Sequence, residues 1–551
     1  MLLNSGESPS QRSPTQGTSA KCGAAGERDS AADGQTNDGM DLFSAQPSLE
    51  GLGDEDDEYL GGTPPIAADA VRVGRIAGPA AATQLLRVCN YTLVLLMSQR
   101  LTPAEFGGLV LGTTVVHVVI HAPCAGIAAV LDTLVPREFG LDPASPAMGL
   151  HLRRGILACV AWTAAAWLLL AVLGRLLLSA LVDAELVDPA VGFVTMSALT
   201  ALPMVCTTCW QKFLTAQRLV HLPLVAQCVS TAALVTLLAV TKPAHVTSVA
   251  LAIALGRTAG LAALIVLAWR SPNVRIRFGR WSRLEVFEPD GVKSFARLAA
   301  PSLAICCAER WSFEGLSLIA ATLGTEALDA WAMLSNAWLV CFAIATGFYA
   351  AANTLVGNAL GQSRASAARR VARRTVVMYA VIGGAVCGLL AVFADGVFAW
   401  FPGTPAARGL AARLGPLVAC GIFADTTAFV LQGVLRAASD VTFVAWLSLA
   451  VQWMVTAVLA PLLAWEWRSL RGLTVALSVG SISLLLAMAV RADRLKWMAI
   501  VQLRHEARQR GNGADGDVFN VSMASSAASG HTAPHGERTP RPQPTPDESG
   551  S

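Results

Sequence analysis

Apolar stretches of about 20 residues recur along this chain, and that is the length a helix needs to cross a bilayer. They lie at roughly 76–98, 107–131, 151–180, 190–214, 222–241 and 245–269. A second set follows at roughly 294–322, 327–357, 371–399, 409–435, 441–464 and 470–490. Within hydrocarbon every backbone N–H and C=O must be satisfied by the protein itself, so such a chain folds as a helix bundle. The composition agrees: only 14% of residues are charged and 54% are hydrophobic, against about 25% charged in soluble domains. The expectation is an all-α polytopic membrane protein with twelve transmembrane helices. Pro123, Pro203, Pro301, Pro416 and Pro461 fall in or beside the spans, where neighbouring helices or a cavity can satisfy the freed backbone groups.

The ends of the chain read differently. Residues 1–70 are rich in Ser, Gly, Asp and Gln and include the acidic run Asp54-Glu55-Asp56-Asp57-Glu58. That composition cannot bury a core, and a disordered tail is expected. It lacks the charged start, apolar run and cleavage site of a signal peptide. Basic residues follow the even-numbered spans: Arg137, Arg153 and Arg154, then Lys212 and Arg218, then Arg270 to Arg283, then Arg364 to Arg374. By the positive-inside rule both tails are cytoplasmic. The layout is then an N-terminal tail 1–70, a six-helix bundle 71–269, a basic cytoplasmic linker 270–293, a second bundle 294–490 and a disordered tail 491–551. The Asn520-Val-Ser522 sequon would face the cytosol, unused.

The two halves repeat each other. Pro79 and Pro301 are 222 residues apart, Asp132 and Asn353 221, Gly140 and Gly361 221, Arg153 and Arg373 220. Leu214-Thr-Ala216 and Leu435-Arg-Ala437 hold the same offset. Six spans per repeat bring both halves in from one side, as parallel repeats, an arrangement in which transporters place the site between the repeats.

The formal net charge of +3 and the lack of a basic stripe interleaved with aromatics argue against a nucleic-acid partner. No P-loop, HExxH or GxSxG pattern is present, which argues against an enzyme or an ATP-driven engine. The Cys206-Thr-Thr-Cys209 spacing lacks a second pair or a His cluster and reads as small apolar residues between helices. No metal or cofactor is expected. The exceptional feature is Glu309, Arg310 and Glu314 inside one apolar run. A charge at that depth costs roughly 2.5–3.5 kcal/mol even on lenient insertion scales, so it needs a partner, water or a proton.

The residues around these charges resemble a known family. Cys307-Ala-Glu-Arg-Trp-Ser-Phe-Glu314, the run Gly347 to Gly361 (GFYAAANTLVGNALG), and Leu131-Asp-Thr-Leu134 with Phe139-Gly140 resemble motifs of spans seven, eight and two of eukaryotic multidrug and toxic compound extrusion (MATE) transporters. The likeness covers about residues 72–490. It implies a secondary antiporter that exports organic solutes, cations or xenobiotics foremost, in exchange for protons or sodium; a monomer is expected. By the same likeness Glu309 is the coupling acid, with Asp425 and Glu314 as further carboxylates, and Gln84 is a polar cavity residue. Four positions depart from the pattern: Arg310 replaces a Trp, Asn336 an acid, His117 an Asn and Arg137 a Gln. These changes bear on substrate and coupling ion.

A carboxylate in an apolar cavity can hold a proton near neutral pH, which alternating access can deliver from side to side. Against that role, Glu309 and Arg310 can form an inert network, and Asp425 can serve as an interhelical hydrogen-bonding group. His117, Gln84 and Asn336 read as cavity lining or helix contacts, and Trp311, Trp331 and Trp338 as cation-stacking or packing residues. Glu309 and Glu314, five residues apart, lie about 140° apart round a helix and are not expected to share a site. The alternatives are an organic-anion exporter of the citrate type, a flippase for lipid-linked precursors, and a membrane scaffold without transport. Plasma membrane and an acidic or vacuolar membrane both suit cytoplasmic tails.

Overall fold

The computed structural model describes residues 65–502 apart from 99, 182 and 280–282. The acidic run, the sequon and most of both tails lie outside the described residues. Twelve long helices account for nearly everything else, and no strand occurs among the described residues. The first repeat comprises α1 (Ile66–Met97), α2 (Pro103–Leu141), α3 (Ala147–Leu181), α4 (Ala184–Ala216), α5 (His221–Thr241) and α6 (Val246–Arg270). The second comprises α7 (Pro289–Thr322), α8 (Thr325–Gly361), α9 (Ala365–Val392), α10 (Pro405–Ala437), α11 (Val441–Glu466) and α12 (Leu470–Asp493). Eleven of these are long and apolar enough to cross a membrane. The twelfth, α7, has the length, but Glu309, Arg310 and Glu314 interrupt its apolar run.

Local chemistry sets the helix ends. Thr102 and Thr404 cap α2 and α10, each followed by a proline at the first helical position, and their hydroxyls accept from the Glu105 and Ala407 N–H groups at 3.3 and 3.2 Å. Proline there loses no helical hydrogen bond. Within α2 and α11 the backbone widens into π segments, His117–His121 and Met454–Leu459, just before Pro123 and Pro461. A proline ring clashes with the carbonyl four residues back, and a π turn makes room for it.

The repeat noticed in the sequence is present in the backbone. Arg218 and Ser439, 221 residues apart, are both left-handed, with φ of 65° and 68°. At each, an N–H reaches back over 2.9 Å to the helix it has just left, Leu219 to Leu214 and Asp440 to Leu435. This reversal closes α4 and α10 in the same way.

Several elements outrun their expected limits. α2 continues to Leu141, α4 to Ala216 and α7 begins at Pro289, because polar residues at span ends stay helical where packing holds them. Lys212, counted with the loop charges although the expected span reaches 214, lies within α4. The linker carries two short helices, Pro272–Phe278 and Arg283–Val286, and the first of these is bound to the first repeat. Phe278 stacks on Trp210 at 5.7 Å, and Arg277 donates to the Pro143 carbonyl at 2.6 Å and to Gln217 Oε1 at 2.9 Å. Burial lowers the Arg277 guanidinium from its ordinary pKa. The tail expected to be disordered from 491 starts as helix instead, at 497–502, with Trp497, Ile500 and Val501 buried near Val73 and Ile76 of α1.

Each repeat has its own apolar core, and a third cluster joins α1 to α8, α9 and α10. Outward residues one turn apart, such as Leu168, Val172 and Leu176 of α3, are more than half exposed. An exposed apolar stripe of that kind is what a lipid-facing helix presents.

Candidate functional site

The polar side chains inside the bundle form three groups. The first belongs to the second repeat. Glu309, near the middle of α7, is half-buried, and its Oε1 accepts from the Gln432 side-chain amide of α10 at 2.9 Å. Two turns earlier on the same face of α10, Asp425 accepts from the Trp338 indole of α8 at 3.0 Å. No cation lies within 4 Å of either carboxylate among the described residues. Such a carboxylate can be neutralised by taking up a proton or a small cation.

Arg310 does not pair with Glu309. One residue on, it points elsewhere and holds Glu314 on its own helix at 3.1 Å. Glu309 and Glu314 are thus in separate surroundings. Trp311 donates its indole N–H to the Val118 carbonyl at 3.2 Å. The π segment of α2 leaves that carbonyl available, and the neighbouring Val119 carbonyl accepts from Trp162 at 3.0 Å. Asn336 is exposed and donates to the Ala332 carbonyl of its own helix at 2.8 Å.

The second group lines a cavity of about 370 Å³ formed mostly by the first repeat, with Arg310 of α7 and Leu339 of α8 on its second-repeat side. Gln84 and His117, singled out from the sequence, meet there with Arg87, His121, Arg257 and Arg310. Arg87 and Arg257 were not flagged, although the rule that drew attention to Glu309 applies equally to a cation inside an apolar span. Gln432 was missed as well. An amide in an apolar helix carries no formal charge, and its partner is 123 residues away.

The third group fastens the repeats together at the entry end of the bundle, where α1 begins and α12 finishes. Asp132 of α2 binds Lys212 of α4 at 2.5 Å and accepts from the Tyr349 hydroxyl of α8 at 3.0 Å. Asp69 of α1, 2% exposed, pairs with Arg374 and, at 3.8 Å, with Arg370 of α9. Thr354 donates to the Thr215 carbonyl at 3.3 Å. The backbones themselves touch: a Cβ on Gly140 would overlap the Asn358 carbonyl, and one on Gly347 the Ala77 carbonyl. Of the hydrogen bonds named here between the repeats, that of Trp311 lies furthest from the entry end.

Comparison with known proteins bears directly on this arrangement. The MatE family model matches residues 301–462, a segment that includes Glu309, Asp425 and Gln432. Multidrug and toxin extrusion protein 2 of Mus musculus is 27% identical over 380 residues, covering 68% of this chain and 65% of that protein. These matches support a MATE-type transporter. Protein DETOXIFICATION 14 of Arabidopsis thaliana is 29% identical over 201 residues, 35% of this chain and 40% of that one. The alignments therefore span less than two thirds of these curated relatives' own length. The solved structure of the eukaryotic MATE transporter AtDTX14 superposes with a TM-score of 0.73 at 21% identity, covering 81% of this chain and 99% of that one. A point mutant of the Vibrio cholerae MATE transporter VcmN gives 0.67 at 15% identity, covering 78% and 97%. The fold is the all-α MATE fold of twelve membrane helices, and the chain is a multi-pass membrane protein.

Proposed function

We propose that this chain is a secondary active exporter of organic solutes. It works by alternating access between its two repeats and is driven by inward movement of protons, with sodium as the second candidate. The observation that carries this reading is the Glu309–Gln432 pair, a mid-bundle carboxylate held by a neutral amide with no counter-cation within 4 Å among the described residues. A structural ion pair would bring its own cation. A coupling acid has to exchange one.

The entry end supplies the gate. The Asp132–Lys212–Tyr349 cluster and the Asp69–Arg374 pair close the passage there, and they can break and re-form as rigid repeats rock. The arginines at the start of α9 and in the linker make this end cytoplasmic by the positive-inside rule. Protonation of Glu309 from the opposite side would switch its bond to Gln432, since a protonated carboxyl donates where the ion only accepts. Asp425, two turns away on the same helix face, is the next acceptor on that path. Glu314, tied to Arg310, has no part in it.

The test is solute flux in proteoliposomes under an imposed proton gradient, with citrate and ethidium as probes of opposite charge. Gradient-driven flux of either probe in the wild type, lost in Glu309→Gln, supports coupling at this acid. Flux that persists unchanged in Glu309→Gln would remove it from that role.

A further inference from the structure

The first-repeat cavity has a charge opposite to that expected for a cation exporter. Arg87, Arg257 and Arg310 line it from three helices, and no carboxylate is among its lining residues. Two of the three have only neutral partners. Arg257 donates to the Thr200 backbone carbonyl at 3.0 Å, and Arg87 donates to the side-chain carbonyl of Gln211. Neither has a carboxylate within 4 Å among the described residues. Arg310, 43% exposed, also lines the cavity, but its charge is matched by Glu314 at 3.1 Å.

A second observation points to a missing occupant. His121, 9% exposed, lines the same cavity, and both its ring nitrogens lack a hydrogen-bond partner. Buried cations without compensation destabilise a fold strongly, and the more so in a membrane. An anion would accept from the guanidiniums and from an imidazole N–H together.

We propose that this cavity is the substrate site and that it takes an organic anion bearing two or more carboxylates. The fork of a guanidinium matches a carboxylate through two parallel hydrogen bonds, and two such forks on α1 and α6 suit a pair of carboxylates. Val88, Leu109 and Leu234 supply an apolar wall for an organic body, and the volume is within the range of about 300–1,000 Å³ usual for small-molecule sites. The inference deepens the exporter reading by naming the substrate class, and rests on it for the direction of transport.

Isothermal titration calorimetry on the full-length protein tests it, with citrate, succinate and glutarate as anion probes and ethidium as the cation probe. At least one anion binds the wild type. Arg87→Gln and Arg257→Gln each weaken that binding about tenfold or more, as expected on losing a charge-assisted bond. Arg257→Lys falls between, and Asp395→Asn, at an exposed position of the second repeat outside the cavity lining, stays within about twofold of wild type. Without ligand, Arg257→Gln melts no lower than wild type, because it removes an uncompensated charge. No binding by any of the three anions, or unchanged affinity in Arg257→Gln, overturns the proposal. So does a lower ligand-free melting temperature in Arg257→Gln, which would make the arginine a packing residue. Ethidium flux without anion binding would remove this site and keep the exporter. Anion binding without gradient-driven flux would do the reverse.

Discussion

With leucine in place of Gln432, the Glu309 carboxylate keeps its depth in α7 and loses the amide that satisfies it. An unsatisfied buried group costs about 1–3 kcal/mol, and more when charged. Gln432→Leu should therefore cut gradient-driven flux by about tenfold or more while the protein stays folded, and Gln432→Asn should retain part of it. Equal flux in Gln432→Leu and wild type would show that the amide is incidental. Trp338→Phe makes the parallel case at Asp425: it keeps an aromatic ring and removes the 3.0 Å hydrogen bond. A slower flux with an unchanged melting temperature is expected, and a melting loss alone would mark the pair as structural. At this scale Glu309 was legible in the sequence, because a charge in an apolar run is costly wherever it occurs. Its partner was not, because pairing across α7 and α10 is a matter of packing. Lys212 was misread for a related reason. It was counted with the loop charges at the end of its span, but it lies inside the helix, where it pairs with Asp132.

Helix crossings at the entry end depend on small residues. Gly140 and Gly347 let α2 and α1 approach α8 until backbone atoms touch, and a side chain at either place forces the helices apart. Overpacking of this kind costs about 1–3 kcal/mol. Gly347→Val should accordingly lower the melting temperature and raise the reactivity of a cysteine placed at the entry end. A variant that melts and reacts like wild type would show that the crossing has slack. The spans themselves were legible, since their apolar length is set by the bilayer. Their ends were less so. α2 passes through a π segment and two prolines and still runs to Leu141. The residues after 131 look polar, but most of them are buried between repeats. The docked helix at 497–502 escaped notice because so short a run cannot show a period against a polar tail.

For the molecule as a whole, the doubled architecture was visible in the 221-residue offsets and reappears in the matched left-handed turns at Arg218 and Ser439. The polarity of the first-repeat cavity was not visible. Arg87 and Arg257 stand 170 residues apart, and only the fold brings them to one space. The entry-end cluster belongs to this scale too. Asp69→Asn removes both ion pairs of α1 with α9, those to Arg370 and Arg374, and should shift the population toward an entry-open form. Hydrogen exchange at the starts of α1 and α9 should then rise, and unaltered exchange would show that the pair does not hold the gate.

On the proposed mechanism, the charge on Glu309 decides which end is open. Spin labels at Ala144 and Gln362, exposed positions on loops of opposite repeats at the entry end, can follow that directly. They would be placed on a background with the accessible cysteines replaced, and the distance distribution measured at high and low pH. Two populations whose balance moves with pH are expected in the wild type, and a balance that no longer responds to pH in Glu309→Gln. A distribution that ignores pH in the wild type, or one that follows pH equally in Glu309→Gln, would contradict the proposed mechanism.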